Sequence, residues 1–233
     1  LAHQPHRRVR RRLAAQGAYF IETSGWESPG WYAGAGKVAD PGPDTWGRPA
    51  WWSRWELEHR AARENVIVMD MSFMGKFMVQ GRDAGHCLNR ISANNVDGAV
   101  GEITYTQWLN AQGKLEADLT VTKLADDRFF VVVTDTMVRH AETWMKRNIP
   151  DGAHAFVTDV TSGYGQLNVQ GPRSRELLQS LTSADLSNAA FPFRAAREID
   201  IGYARVLCTR ITYLGELGYE LFIPTDQAAH VYD

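Results

Sequence analysis

Three runs of alternating residues constrain this chain more than any other feature: "ITYTQWLN", "KLEADLTVTKL" and "FFVVVTD" follow one another with only the turns "NAQG" and "ADDR" between them. A period of two sends successive side chains to opposite faces of a strand, and links this short join only antiparallel neighbours. The stretch from Ile103 to Asp135 therefore predicts a three-stranded antiparallel meander. A purely helical fold is excluded.

The remaining segments alternate helices with strand pairs. "SRWELEHRAAREN" reads as a helix opened by an S-x-x-E capping box of Ser53 and Glu56. "VIVMDMS" reads as a buried strand, "GKFMVQG" as its hairpin partner, and "DAGHCLNRISA" as a short helix with Asp83 near its start. "MVRHAETWMKRN" predicts a helix capped by Asp135 or Thr136, and "HAFVTDV" and "YGQLNVQG" predict further strands. Pro172 starts the helix "PRSRELLQSL"; "REIDIGYARVLCTRITYLG" and "YELFIP" supply the last strands, and Thr225 or Asp226 caps a helix that has barely begun at "TDQAAHVYD". Helices that alternate with antiparallel pairs, rather than with single strands, predict an α+β fold of antiparallel sheets with split β-α-β, ferredoxin-like elements. A doubly wound parallel sheet is disfavoured, and the chain is expected to continue past Asp233.

Six of the eight tryptophans (Trp26, Trp31, Trp46, Trp51, Trp52 and Trp55) crowd a stretch rich in glycine and proline. Proline and glycine break long helices and strands, while exposed indole rings are costly in water. Residues 1–52 are accordingly expected to be a linker and a Trp-rich segment wrapped over a neighbouring surface, with one domain over residues 53–233. Gly34, Gly36 and Ala39 form a G-x-G-x-x-A string, but no strand precedes it and Pro41 and Pro43 follow, so it is no dinucleotide fingerprint.

With 44% hydrophobic and 22% charged residues, 233 residues suffice for a sizeable core. A formal net charge of −2 gives no bulk attraction to nucleic acid or to an anionic membrane, and no apolar run approaches the ~18 residues a membrane span needs. Neither partner is expected. Cys87 and Cys208 are far apart, which argues against a disulfide framework, a zinc site or an iron–sulfur cluster. The seven histidines (His3, His6, His59, His86, His140, His154 and His230) form no H-x-x-x-H or H-x-H pair, so no metal site is expected, and no serine occupies a G-x-S-x-G elbow. Arg7, Arg8, Arg10, Arg11 and Arg12 precede any acid and read as a solvated helix or linker.

Two places can carry chemistry. Alternation puts Asp118 and Thr120 on one face of their strand and Ala117, Leu119 and Val121 on the other. Pattern alone reads Asp118 as part of a solvated polar face; against that, the flanking runs make its strand central, where a covered carboxylate needs a donor or a cation. In "TYLGELGYEL", Tyr213 and Glu220 flank a glycine-bearing turn through Gly215, Glu216 and Gly218. A stacking ring and a carboxylate that accepts two N–H bonds suit a flat heterocycle with an amidine-like edge, such as a pterin; the alternative is a packed tyrosine and an exposed glutamate.

"MDMSFMGKFMVQGRDA", "GEITYTQWLNAQGKLEADLTV", "LNVQGPRSRELL" and "TRITYLGELGYELF" together resemble the tetrahydrofolate-binding module of the glycine-cleavage T-protein (aminomethyltransferase) family. The wording is most similar to the carboxy-terminal half of sarcosine and dimethylglycine dehydrogenases, whose "GWE-x-P-x-W" stretch resembles "GWESPGW" here. The resemblance runs from about residue 17 to the end. It implies that Asp118 lies near the reacting nitrogens of tetrahydrofolate with Thr120 beside it, that Tyr105 is a pocket tyrosine, that Tyr213 contacts the pterin and that Glu220 binds the pterin's amino and ring N–H groups. It implies transfer of a one-carbon unit from a methylated amine, oxidised to an iminium, to tetrahydrofolate. FAD would serve only in an upstream domain, other domains of a longer polypeptide would be the partners, and bacterial cytoplasm or mitochondrial matrix the compartment. Two departures stand out: the T-protein pattern has adjacent acids where this chain has Ala117 and Asp118, and the family's carboxy-terminal barrel is missing. A non-catalytic regulatory relative and a folate-dependent O- or S-demethylase are the rival readings.

Overall fold

The computed structural model describes the backbone of residues 7–233 and side chains from residue 9; His3, His6 and the side chains of Arg7 and Arg8 lie outside what is described. In chain order the elements are α1 (Arg7–Ala15), β1 (Ala18–Thr23), β2 (Trp26–Tyr32), α2 (Trp52–Glu64), β3 (Ile67–Asp70), β4 (Gly75–Gln80), α3 (Ala84–Ile91), β5 (Ile103–Leu109), β6 (Leu115–Ala125) and β7 (Arg128–Val133). They continue with α4 (Val138–Asn148), β8 (Phe156–Asp159), β9 (Tyr164–Gln170), α5 (Ser174–Gln179), β10 (Ala196–Ile201), β11 (Ala204–Thr209), β12 (Gly218–Pro224) and α6 (Ala228–Tyr232). The chain divides into two compact units. One holds the described residues through Ser72 with Tyr164–Ala190 and Glu198–Asp233, and the other holds Phe73–Gly163 with Phe191–Arg197.

The second unit is built on an open sheet ordered β5-β6-β7-β4-β8. The expected meander is present, with Ile103 opposite Thr122 and Val121 opposite Val131. Both β7 and β8 pair antiparallel with β4. They are thus parallel to each other with β4 between them, and α4 connects them: a split β-α-β unit. One face of this sheet is apolar because alternation delivers Phe77, Val79, Trp108, Ala117, Leu119, Val121, Phe129, Val131 and Val133 to it. That face packs with Ala84, Cys87, Leu88 and Ile91 of α3 and Ala141 and Met145 of α4. Burying each large side chain of this set contributes about 1.5–3 kcal/mol, so the core fixes which residues of β6 face away from it.

The first unit carries a second open sheet, ordered β10-β11-β12-β9-β3, and the two-stranded sheet β1-β2. The register sets Glu220 opposite Asn168 on β9 and opposite Thr209 on β11. Tyr219, Leu221 and Ile223 alternate with it and are buried. Helix α1 is more than a solvated arm: Val9 and Leu13 are buried on one side, while Arg10 pairs with Glu27 and Arg12 with Asp233.

Several local expectations are corrected. Strand β4 is not the hairpin partner of β3; β3 pairs with β9, nearly a hundred residues on. Helix α2 begins one residue before Ser53, and its cap position is Trp51 with no side-chain bond, so the S-x-x-E box does not form. The caps expected at Asp135, Thr136, Thr225 and Asp226 also fail: α4 follows a single 3-10 turn (Asp135–Met137), and Gln227 occupies the cap position of α6. The Trp-rich stretch contains a seven-residue strand, β2, despite Pro29; in a two-stranded sheet every strand is an edge, where proline's missing N–H is tolerated. Tyr19, Trp31 and Trp51 stack in sequence with centroids 6.0 and 6.2 Å apart, whereas Trp46 stands fully in solvent.

Candidate functional site

Tyr105, Asp118 and Thr120 belong to one unit, and Tyr213 and Glu220 to the other. In the former, Tyr105 on β5 is directly opposite Thr120 on β6, and Asp118 is opposite Gln107. The three therefore share a face, the one turned away from the core that Ala117, Leu119 and Val121 enter. The Tyr105 hydroxyl donates to Asp118 Oδ2 at 2.8 Å. Asp118 is exposed in this unit, and Tyr105 is 52% exposed. The β6–β7 ladder starts only at the Leu119–Val133 pair, so Asp118 has a strand neighbour on one side alone. Strand β6 is central over its later half; at Asp118 it projects past β7. The donor that meets the carboxylate is a neutral phenol, and Asp118 Oδ1 has no partner among the described residues. Such a group is held at one oxygen and free to accept a hydrogen bond at the other.

In the first unit Glu220 lies two residues inside β12, with Asn168 Nδ2 donating to its Oε1 at 3.0 Å. Tyr213 does not lie on a strand. It projects from the eight-residue connection between β11 and β12 and is 75% exposed. That connection is tightly tied. The Thr212 hydroxyl accepts from the backbone N–H of Leu214 and Gly215 at 3.2 and 3.1 Å, and Gly215 takes φ +75°, a conformation in which only glycine is unstrained. Arg63 donates to the Leu214 carbonyl and pairs with Glu216 at 2.7 Å; Gly171 N and Ser174 Oγ both donate to the Leu217 carbonyl. An exposed aromatic ring on so restrained a turn loses little conformational freedom when something stacks on it.

The sequence reading missed the polar row Gln166, Asn168 and Gln170 on β9, all at most 1% exposed. The signal was there, as a period-two polar pattern in "GQLNVQG", but periodicity reads such a face as solvated. It also gave no role to Glu116, which accepts from Asn110 and pairs with His140 at 2.9 Å. His86 is exposed, and no group of three metal-capable side chains occurs among the described residues. No described helix is long and apolar enough to cross a membrane.

Two five-stranded sheets, a two-stranded antiparallel sheet, a split β-α-β unit and helices on the sheet of the second unit define a mixed α/β chain of the aminomethyltransferase T-protein fold. The glycine cleavage system aminomethyltransferase T from Bartonella henselae superposes with a TM-score of 0.78 over 97% of this chain and 55% of that one, at 21% identity. The chain belongs to the GCVT N-terminal domain family, whose model matches residues 9–233. Among its relatives is the 4-methylaminobutanoate oxidase (formaldehyde-forming) of Paenarthrobacter nicotinovorans, 37% identical over 95% of this chain and 27% of that protein. The mitochondrial pyruvate dehydrogenase phosphatase regulatory subunit of Mus musculus is 33% identical over 95% of this chain and 26% of its own length. Mitochondrial dimethylglycine dehydrogenase of the same organism is 32% identical over 90% of this chain and 24% of its own length. The chain thus spans about a quarter of the length of these relatives.

Proposed function

We propose that this chain is the tetrahydrofolate-binding portion of an N-methylamine dehydrogenase or oxidase, and that it passes a one-carbon unit at the oxidation level of formaldehyde to folate. The observation that carries the reading is the Tyr105–Asp118 pair: an exposed carboxylate anchored through Oδ2 by a phenol, with Oδ1 left to accept a proton. Membership of the family and the relative named as formaldehyde-forming support it.

The residues fit the group. A carboxylate held by Asn168 suits amidine-type N–H donors, and an exposed tyrosine on a restrained turn suits a flat ring. Tetrahydrofolate supplies the amine that captures the one-carbon unit. Glu220 and Tyr213 recognise the pterin. Asp118 takes up the proton released from that amine at Oδ1 and stabilises adjacent positive charge, Tyr105 keeps the carboxylate oriented, and Thr120 offers a hydroxyl on the same face. FAD belongs to another domain of a longer polypeptide, the methylated amine is oxidised there, and the compartment is bacterial cytoplasm or mitochondrial matrix. The regulatory relative has a competing role, and demethylation from oxygen or sulfur is a competing chemistry.

Calorimetric titration with tetrahydrofolate tests the reading. Saturable binding of one equivalent, weakened at least tenfold by Glu220→Gln, supports it. Absence of binding by the wild-type chain overturns it.

A further inference from the structure

Hydrogen bonds fix the orientation of the amides in the buried row on β9. An ionised Glu220 can only accept, so the atom of Asn168 facing it at 3.0 Å is the amide nitrogen. Asn168 Oδ1 is thereby turned to Gln166, whose Nε2 donates to it at 3.2 Å. Gln170 is fixed in the same way. The Thr212 oxygen already accepts two backbone N–H groups, so its own proton goes to Gln170 Oε1 at 3.1 Å. Gln170 in turn lies over Gly218, where a Cβ would collide with its amide.

We propose that Asn168 and Gln170 are positioning residues for ligand recognition: Asn168 sets the Glu220 carboxylate, and Gln170, through Thr212, sets the turn that carries Tyr213. The amide row is costly as mere structure. Gln166 Oε1 and Gln170 Nε2 are buried without a partner, and apolar residues at these positions would avoid that cost. Asn168 and Gln170 instead each end on one half of the recognition apparatus, and Gln166 fixes the Asn168 amide. One strand thus presets both a carboxylate and an aromatic ring, which lowers the ordering cost of binding. This inference rests on the folate reading of Glu220 and Tyr213.

The experiment measures dissociation constants of the intact chain for tetrahydrofolate and for its analogue lacking the 2-amino group, in wild type, Glu220→Gln, Asn168→Leu, Thr212→Val and Thr212→Ser. Loss of a hydrogen bond to a charged acceptor corresponds to about a tenfold weakening or more. Asn168→Leu is expected to weaken tetrahydrofolate by about that factor but to leave the 2-deamino analogue within about twofold, because the analogue makes less use of Glu220. A general loss of structure would weaken both ligands alike. Thr212→Val, on the partly exposed turn, is the second probe should Asn168→Leu fail to fold; it should weaken both ligands, and Thr212→Ser should restore them. If wild type binds and Glu220→Gln weakens binding, yet Asn168→Leu and Thr212→Val bind like wild type, the inference is overturned and the folate reading stands. If wild type binds neither ligand, both are overturned.

Discussion

Replacing Asp118 by asparagine separates chemistry from folding. The substitution is isosteric, and the Tyr105 hydroxyl can still donate to the amide oxygen that replaces Oδ2, so the 2.8 Å contact can survive. Because the position is exposed and flanked by strand on one side only, no buried partner is stranded. The stability change should be small, about 0.5 kcal/mol or less, equivalent to a shift of roughly 1–2 °C in Tm for a chain of this size. On the proposed function, the substitution removes the proton acceptor. General-base catalysis is worth about 10²- to 10⁴-fold, or about 2.7–5.4 kcal/mol of transition-state stabilisation. The assay is folate-dependent consumption of formaldehyde by the chain, followed as kcat and KM, beside differential scanning calorimetry. The expected result is a fall in kcat of at least a hundredfold with Tm nearly unmoved. A fall of less than about fivefold, or a loss of activity that merely tracks a collapse in Tm, refutes the assignment of Asp118 as base.

Gly75→Ala places a Cβ 2.7 Å from Val138 Cγ2 and 2.8 Å from Val133 Cγ2; urea unfolding should show about 1–3 kcal/mol of destabilisation, and an unchanged midpoint would contradict the packing described for β4. Partial burial on α2 pushes the Glu58 carboxyl above its usual range. The folded chain therefore binds the Glu58 proton more tightly than the unfolded chain, so stability falls as pH rises from the unfolded pKa through the folded one. Glu58→Gln should raise Tm at pH 7 and have little effect below about pH 4; the opposite order contradicts the sign. Lys123, hydrogen-bonded to Asp97 at 2.7 Å, holds its proton more tightly than usual. Its contribution is complete below the unfolded lysine pKa and fades as pH rises through the folded one, so the loss caused by Asp97→Asn, clear at pH 8 in urea titrations, should shrink above about pH 11.

What the sequence made legible was local. The meander could be read because alternation and short turns specify neighbours in sequence, and α3, α4 and β9 announced themselves through apolar spacing and breakers. Pairing at a distance could not be read: β3 and β4 are adjacent, equally apolar runs, and only three-dimensional closure assigns β3 to β9 instead. Side-chain caps failed at Ser53 and Asp135 because an oxygen at the right spacing is necessary for a cap but does not ensure one. At the candidate site, the shared face of Tyr105, Asp118 and Thr120 followed from period two and register. The limited strand cover of Asp118 did not, since it depends on where β7 begins to pair. The amides of β9 were hidden for a related reason: polar alternation in a strand looks solvated unless the burial of that face is known.

Amide hydrogen–deuterium exchange with and without tetrahydrofolate locates, segment by segment, where on the chain the ligand acts. Folate recognition by these residues predicts slowed exchange in residues 103–120 and in 210–222, with protection of the latter abolished by Glu220→Gln. Slowed exchange confined to other segments, or no change at saturating folate, would contradict it.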